Sequence, residues 1–125
     1  MSAPMSVFLR TSTHVDEFAL KLQRLFGVSL RRIEDRGLIR YEHHGVGYLM
    51  TLFTDHGLED DMGISFSRYN HQIDFSSPAS GIPSEYREQL KRTVAFYAYE
   101  LIVAHLGCPA MVVYNLQEKL AAHGQ

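Results

Sequence analysis

The feature that most limits the folds open to this chain is the unbroken run between Pro83 and Gly107. Ser84–Leu106 contains no glycine or proline, and Pro83 suits the first turn of a helix. Gly107 and Pro109 end it. At about 1.5 Å per residue such a helix spans roughly 34 Å. Its first half is charged, with Glu85, Arg87, Glu88, Lys91 and Arg92. Its second half, from Val94 to Ala104, is apolar almost all round, which predicts burial on more than one side. Glu100 is the exception there, and a carboxylate in that setting must be paired, exposed or shifted in pKa. An arginine from Arg31, Arg32, Arg36, Arg40 or Arg68 is the expected partner.

A helix of this length needs a broad apolar surface to lie on, and the preceding segment supplies one. Between residues 30 and 76 the pattern changes to short alternating runs separated by turn residues. Leu30–Glu34 and Leu38–His43 flank the turn Asp35-Arg36-Gly37. Tyr48–Thr54 follows Gly45-Val46-Gly47, and Met62–Arg68 and His71–Ser76 flank Tyr69-Asn70. These runs predict an antiparallel meander.

If those turns set the register, side-chain alternation divides the sheet into two faces. Leu38, Leu49, Phe53, Ile64, Phe66, Ile73 and Phe75 form a core face that the long helix covers. Ile39, Tyr41, His43, Tyr48, Met50, Leu52, Ser65, Ser67, Tyr69, Gln72 and Asp74 form a second, amphipathic face. A slip of one residue would exchange the faces.

At the N-terminus, residues 1–5 read as a loose arm and Val7–Arg10 as a short edge strand. Thr11-Ser12-Thr13 offers a cap for a helix over 14–26, with Asp16 and Glu17 in its first turn and Gly27 at its end. At the C-terminus, Val112, Val113, Leu116 and Leu120 fit a last helix over Ala110–Ala122, although Met111–Tyr114 taken alone also suits a strand. The expected fold is α+β. A mainly antiparallel sheet of four or five strands packs with one long and two shorter helices in a single domain, 1–125.

Composition narrows the function classes. The 125 residues are 46% hydrophobic and 21% charged, which is globular rather than disordered. A pI near 6.4 speaks against general nucleic-acid binding. One cysteine, Cys108, permits no internal disulfide, and neither a signal peptide nor a membrane-spanning run is read. A cytoplasmic protein is expected.

The charge is unevenly placed. Residues 41–86 hold seven acids (Glu42, Asp55, Glu59, Asp60, Asp61, Asp74, Glu85) and one base, Arg68. The flanking segments are net positive, and the whole chain is −2. The densest point is Asp55-His-Gly-Leu-Glu-Asp-Asp61, four acids in seven residues. Crowded carboxylates need a compensating cation or full solvation. The spacing does not match an EF-hand loop. A solvated hairpin loop and docking to a basic partner are the two main readings.

The remaining candidates point to no reaction. Four of the seven histidines (His43, His44, His56, His71) fall in the acidic block, without H-E-x-x-H or Cys/His zinc spacing. A site built from His43, His56 and Asp74 would depend on the fold bringing them together. Cys108 has no neighbouring base to activate it. Arg31, Arg32, Arg36 and Arg40 are interrupted by Glu34 and Asp35, which suits a solvated hairpin better than phosphate binding. No Gly-rich phosphate loop and no nucleophile elbow are present.

In size, single-domain organisation, lack of a catalytic motif and the acidic, aromatic-rich block Tyr41–Phe75, the chain resembles the small immunity proteins of bacterial toxins, including those of contact-dependent inhibition systems. These proteins share no defining motif, so the resemblance transfers no residue roles. It implies a non-enzymatic inhibitor without cofactor or metal, bound to a cognate toxin with a basic surface. The partner-binding candidates are Asp55, Glu59, Asp60 and Asp61 in the loop, with Tyr41, Tyr48, Tyr69 and Asp74 on the amphipathic face. Neither nucleic acid nor membrane is an expected partner, and a homodimer is a possible assembly. The rival readings are a small ligand-binding or enzymatic domain using the Tyr/His/Asp face, and a homo-oligomeric structural subunit.

Overall fold

The computed structural model describes residues 3–78 and 80–124. It is an α+β fold with two helices on an antiparallel sheet. The strands are β1 (Met5–Leu9), β2 (Arg31–Asp35), β3 (Leu38–His44), β4 (Leu49–Thr54), β5 (His71–Ser76), β6 (Ala110–Tyr114) and β7 (Glu118–His123). Helix α1 spans Val15–Phe26 and α2 spans Ser84–Leu106. The sheet order is β2-β3-β4-β5-β1-β6-β7, with every neighbouring pair antiparallel.

The expectation of four or five strands and three helices is corrected at both ends of the chain. Val7–Arg10 is no edge strand. Met5–Leu9 is central, between β5 and β6, and all five residues are buried. Residues 1 and 2 of the expected arm lie outside the described residues. Ala3 and Pro4 are tied down, with Pro4 O accepting from Asn115 N at 2.8 Å. The expected last helix is the β6–β7 hairpin. Its apolar residues do fit helical spacing, but Ala110–Val113 is also a continuous apolar run, the pattern of a strand buried on both faces. The hairpin turn hides from sequence reading because it uses no glycine. Asn115 and Leu116 both take positive φ, 52° and 56°.

The central strands are covered on both sides. Met5, Val7 and Leu9 face the helices with Ile73, Phe75, Met50, Leu52 and Val112. Phe8, Met111 and Val113 face the other way. Helix α1 starts at His14, whose Nδ1 accepts from Asp16 N at 3.1 Å, in place of the expected Thr/Ser cap. It ends at Gly27 in the left-handed conformation. Val15, Phe18, Ala19 and Leu22 are its buried stripe. Helix α2 lies over β1, β5 and β6 and buries only Lys91, Ala95, Ala98 and Ile102. The small alanines seat it close to the sheet, while Tyr97 and Glu100 face outward. The expected burial on more than one side is therefore corrected. Among the described residues Glu100 takes no ion pair; exposure satisfies it.

Lys91 is 1% exposed. Its ammonium donates to Ala3 O at 2.6 Å and to Glu88 Oε1 at 2.8 Å, fastening the N-terminal segment to α2. A buried lysine without such partners would be strongly unfavourable.

The grouping of side chains holds within β3–β4 and within β5, but the two groups are matched the wrong way. Ile73 and Phe75 lie on the helix-covered face as expected, whereas that face takes Tyr41, Met50 and Leu52 from β3–β4 and not Leu38, Leu49 and Phe53. Tyr41, His43, Met50 and Leu52 do share a face, and Tyr41 pairs with Leu52 and His43 with Met50. However, Met50 pairs with Phe75 and Leu52 with Ile73. The helices cover this face, whereas Gln72 and Asp74 point to the opposite side with Thr51 and Phe53. The mismatch has one cause: Met62–Arg68 is no strand, so it cannot carry register from β4 to β5.

Candidate functional site: the acidic loop

The segment 55–70 joins β4 to β5 by folding down over the outer face of β1 and β6. Ile64, Phe66 and Tyr69 are its buried anchors, set against Phe8, Met111 and Val113, with Leu58 and Leu116 packed beside them. The Phe8 ring meets Phe66 edge-on at 5.1 Å between centroids. Such geometry adds to the burial energy of the rings.

The backbone between the anchors is held by local bonds. Asp61 and Ile64 exchange both main-chain hydrogen bonds, at 3.1 and 2.7 Å. Met62 and Gly63 sit between them at φ 52° and 73°, the two left-handed residues of a type I′ turn. The glycine makes that turn accessible; the methionine is strained there and 63% exposed. Residues Phe66–Arg68 form a short 3-10 turn that brings Tyr69 back to the sheet.

His56 pins the start of the loop. Its Nδ1 accepts from Leu58 N at 3.0 Å, so the proton lies on Nε2, which donates to Tyr69 O at 2.7 Å. Its ring meets Phe8 edge-on at 5.4 Å. Both ring nitrogens are thus committed to loop structure. His43 lies on the helix-covered face and Asp74 on the opposite one, so the grouping of His43, His56 and Asp74 is not assembled.

Anchored in this way, the loop presents its carboxylates outward. Asp55, Glu59, Asp60 and Asp61 are all exposed, and among the described residues none takes an ion pair. Asp60 Oδ1 accepts from Ser67 N at 2.9 Å. Hydrogen bonding from Ser67, with a smaller contribution from the Arg68 charge, holds its carboxyl below the usual range. Asp61 Oδ1 accepts from Met62 N at 2.9 Å. Two of the four acids are therefore fixed in direction by the loop backbone. A groove runs between this loop and the β6–β7 turn, with Leu58, Phe66 and Leu116 apolar along it and Glu59, Asp60 and Asp61 acidic.

The other partner-binding candidates do not join this surface. Tyr41 is buried beneath the helices, and its hydroxyl donates to Asp16 Oδ1 at 2.6 Å. Tyr48 is half-buried on the same helix-covered side. Tyr69 is buried under the loop as one of its anchors. Asp74 is largely buried on the outer face, where Oδ1 accepts from Ser6 Oγ at 2.6 Å and Gln72 Nε2 at 2.7 Å. Burial pushes its carboxyl upward against those two bonds. The exposed tyrosines are Tyr86 and Tyr97 on α2. The charged residues around Tyr86 are a sequence cue for its exposure, whereas Tyr97 lies in the apolar half of α2 and has none.

No protein-family model matches this chain, and no curated protein or solved structure is significantly similar to it.

Two of the four clustered arginines are paired, with partners in α1 and the β2–β3 hairpin, and Arg31 and Arg36 are exposed. Arg32 pairs with Asp16 and Glu34, both at 3.2 Å, and Arg40 pairs with Glu42 at 3.1 Å. Cys108 is buried, and desolvation pushes its thiol up, away from the reactive thiolate. No helix of the described residues is long and apolar enough to cross a membrane.

Proposed function

We propose that this protein is a non-enzymatic, cytoplasmic binding module of the immunity type, which neutralises a cognate bacterial toxin by docking its acidic loop onto a basic surface. One observation carries the reading: four exposed carboxylates without ion pairs stand on a loop that three buried side chains hold against the sheet. Holding like charges together on a fixed backbone costs energy that a flexible loop would avoid. A basic cleft recovers that cost on binding and loses little entropy, because the loop is already ordered. Toxins that act on nucleic acids have clefts of this kind, and the carboxylates would occupy the place of phosphates. The partly exposed apolar residues beside the acids, Leu58 and Leu116, would add contact area next to the charges.

The test is association kinetics with a candidate toxin domain, sought first among the products of the neighbouring genes. Steering between opposite charges raises association rates by orders of magnitude at low salt and fades as salt screens it. Asp60→Lys with Asp61→Lys is expected to slow association by more than about tenfold at low salt and to flatten its salt dependence. Unchanged association with an unchanged salt slope would remove the loop from the interface.

A further inference from the structure

On the helix-covered side, the core is not filled everywhere. A cleft of ≈ 80 Å³ lies between the end of α1, the middle of α2 and strands β3–β5. Met50 and Phe75, a cross-strand pair, form its buried floor with Ala98. Phe26 closes one side, and His43 and Tyr48 close another. Tyr97, 62% exposed, stands on its outer side.

The lining is largely aromatic and apolar. The Tyr48 ring lies 6.5 Å from Phe75 and 6.1 Å from His43, tilted to both, so aromatic faces and edges border one space. Tyr48 holds this position because Gly45 has no side chain; a Cβ there would come within 2.2 Å of the tyrosine ring. Met50 adds a polarisable thioether, which favours aromatic contacts. Among the described residues, the His43 imidazole makes no hydrogen bond, although its partly buried ring has both a donor and an acceptor to offer. Apolar walls with one or two convergent polar groups are the usual make-up of a small-molecule site.

We propose that this cleft binds a small planar aromatic molecule carrying one hydrogen-bonding group, of the phenol or indole class. Its ring lies against Tyr48, Phe75 and Met50, and its polar group meets His43. Size sets the limit. The ≈ 80 Å³ is about half of an engineered apolar cavity, on the order of 150 Å³, that holds benzene. One ring enters, with part of it left toward the open side at Tyr97. The floor is already well packed, so a ligand ring gains dispersion contacts chiefly from the less buried His43, Tyr48 and Tyr97. This site is separate from the acidic loop and does not depend on the docking reading.

The test is titration of the full chain with phenol, indole and toluene, followed by amide chemical shifts. Phenol is expected to give saturable shifts confined to residues around the cleft, and to bind about three- to tenfold more tightly than toluene, the value of one net hydrogen bond. His43→Phe should remove that preference and keep toluene binding. Ala98→Leu, which fills the floor, should abolish binding of all three. Val94→Phe fills the same cleft from the helix and serves if Ala98→Leu does not fold. Asp60→Lys with Asp61→Lys should bind phenol as the wild type does, which separates this site from the loop. The proposal is overturned by an absence of saturable shifts, or by unchanged binding in a folded cleft-filling variant. Equal affinities for phenol and toluene would overturn the role of His43.

Discussion

Strand β1 is sandwiched between two unlike covers. On one face Val7 and Leu9 meet two regular helices. On the other, Phe8 meets an irregular loop that contributes Ile64, Phe66 and Tyr69. Both covers exclude water equally well, since Val7 and Phe8 are each 0% exposed. They differ in what supports them. The helices satisfy their own backbone groups and bring stripes of apolar residues at fixed spacing. The loop relies on one two-residue bridge, one short 3-10 turn and side-chain bonds from His56, Asp60 and Asp61 to satisfy its backbone. It should therefore respond more locally than the helices when an anchor is lost.

The largest expected effects separate the two covers directly. Phe18→Ala, from a side chain 1% exposed under α1, should destabilise the whole domain by about 3–5 kcal/mol. Phe66→Ala removes the same ring from a site 2% exposed. Here the loss should fall first on the loop, which can detach while the sheet and helices persist. Denaturant unfolding with hydrogen exchange distinguishes the outcomes. Phe66→Ala should abolish protection over residues 57–69 and cost less global stability than Phe18→Ala. Equal global losses, with loop protection retained until global unfolding, would make the two covers one cooperative unit.

The same contrast explains how far the sequence could be read. Helix α1 announces itself through apolar spacing and its first-turn acids, α2 through its unbroken run after Pro83, and both through a terminal glycine. The β2–β3 hairpin is marked by Arg36-Gly37, both in the left-handed region. The loop offers no such periodicity. Its anchors Ile64 and Phe66 sit two apart, like strand residues, and that coincidence alone suggested a strand. Once Met62–Arg68 is read as a strand, β3 and β4 are matched to β5 with the wrong face toward the helices. Met50 and Leu52 are then separated from Phe75 and Ile73, and Asp74 is placed beside Tyr41 instead of behind it. The acidic cluster itself was legible because charge density needs no register. The tyrosines assigned to its surface needed one, and Tyr41, Tyr48 and Tyr69 lie elsewhere.

A middle-sized effect is expected at Lys91, which the sequence placed in the charged half of α2. Lys91→Met keeps the length of the side chain and removes its charge. It leaves Ala3 O without its donor, at a cost of about 1–3 kcal/mol for a buried acceptor. The loss should be largest at the N-terminal segment, read as faster exchange of the amides that pair β1 with β6. If Lys91→Met is instead as stable as the wild type, the ammonium's burial costs as much as its two bonds return.

The smallest effects set one carboxylate on each side of the sheet against the other. Asp16, on the helix side, is held below its ordinary value of 3.8, first by the Tyr41 hydroxyl and then by Arg32. A depressed carboxyl contributes stability that is present above pH 3.8 and is lost as pH falls through its folded value. Asp74, on the outer face, is raised above 3.8 by burial. Its contribution has the opposite sign: it is present below pH 3.8 and is lost as pH rises through the raised value. At neutral pH Asp16→Asn should therefore destabilise and Asp74→Asn should not. The latter keeps an oxygen for Ser6 and Gln72 and buries no charge, for a gain of about 1 kcal/mol or less. Urea unfolding between pH 3 and 7 checks both. Asp74→Asn should gain on the wild type as pH rises above 3.8, while the deficit of Asp16→Asn should be constant above pH 3.8 and shrink as pH falls below it. An Asp74→Asn variant less stable at pH 7, with the wild-type pH dependence unchanged, would mean that the Ser6 and Gln72 bonds outweigh burial. The two faces would then treat their carboxylates alike.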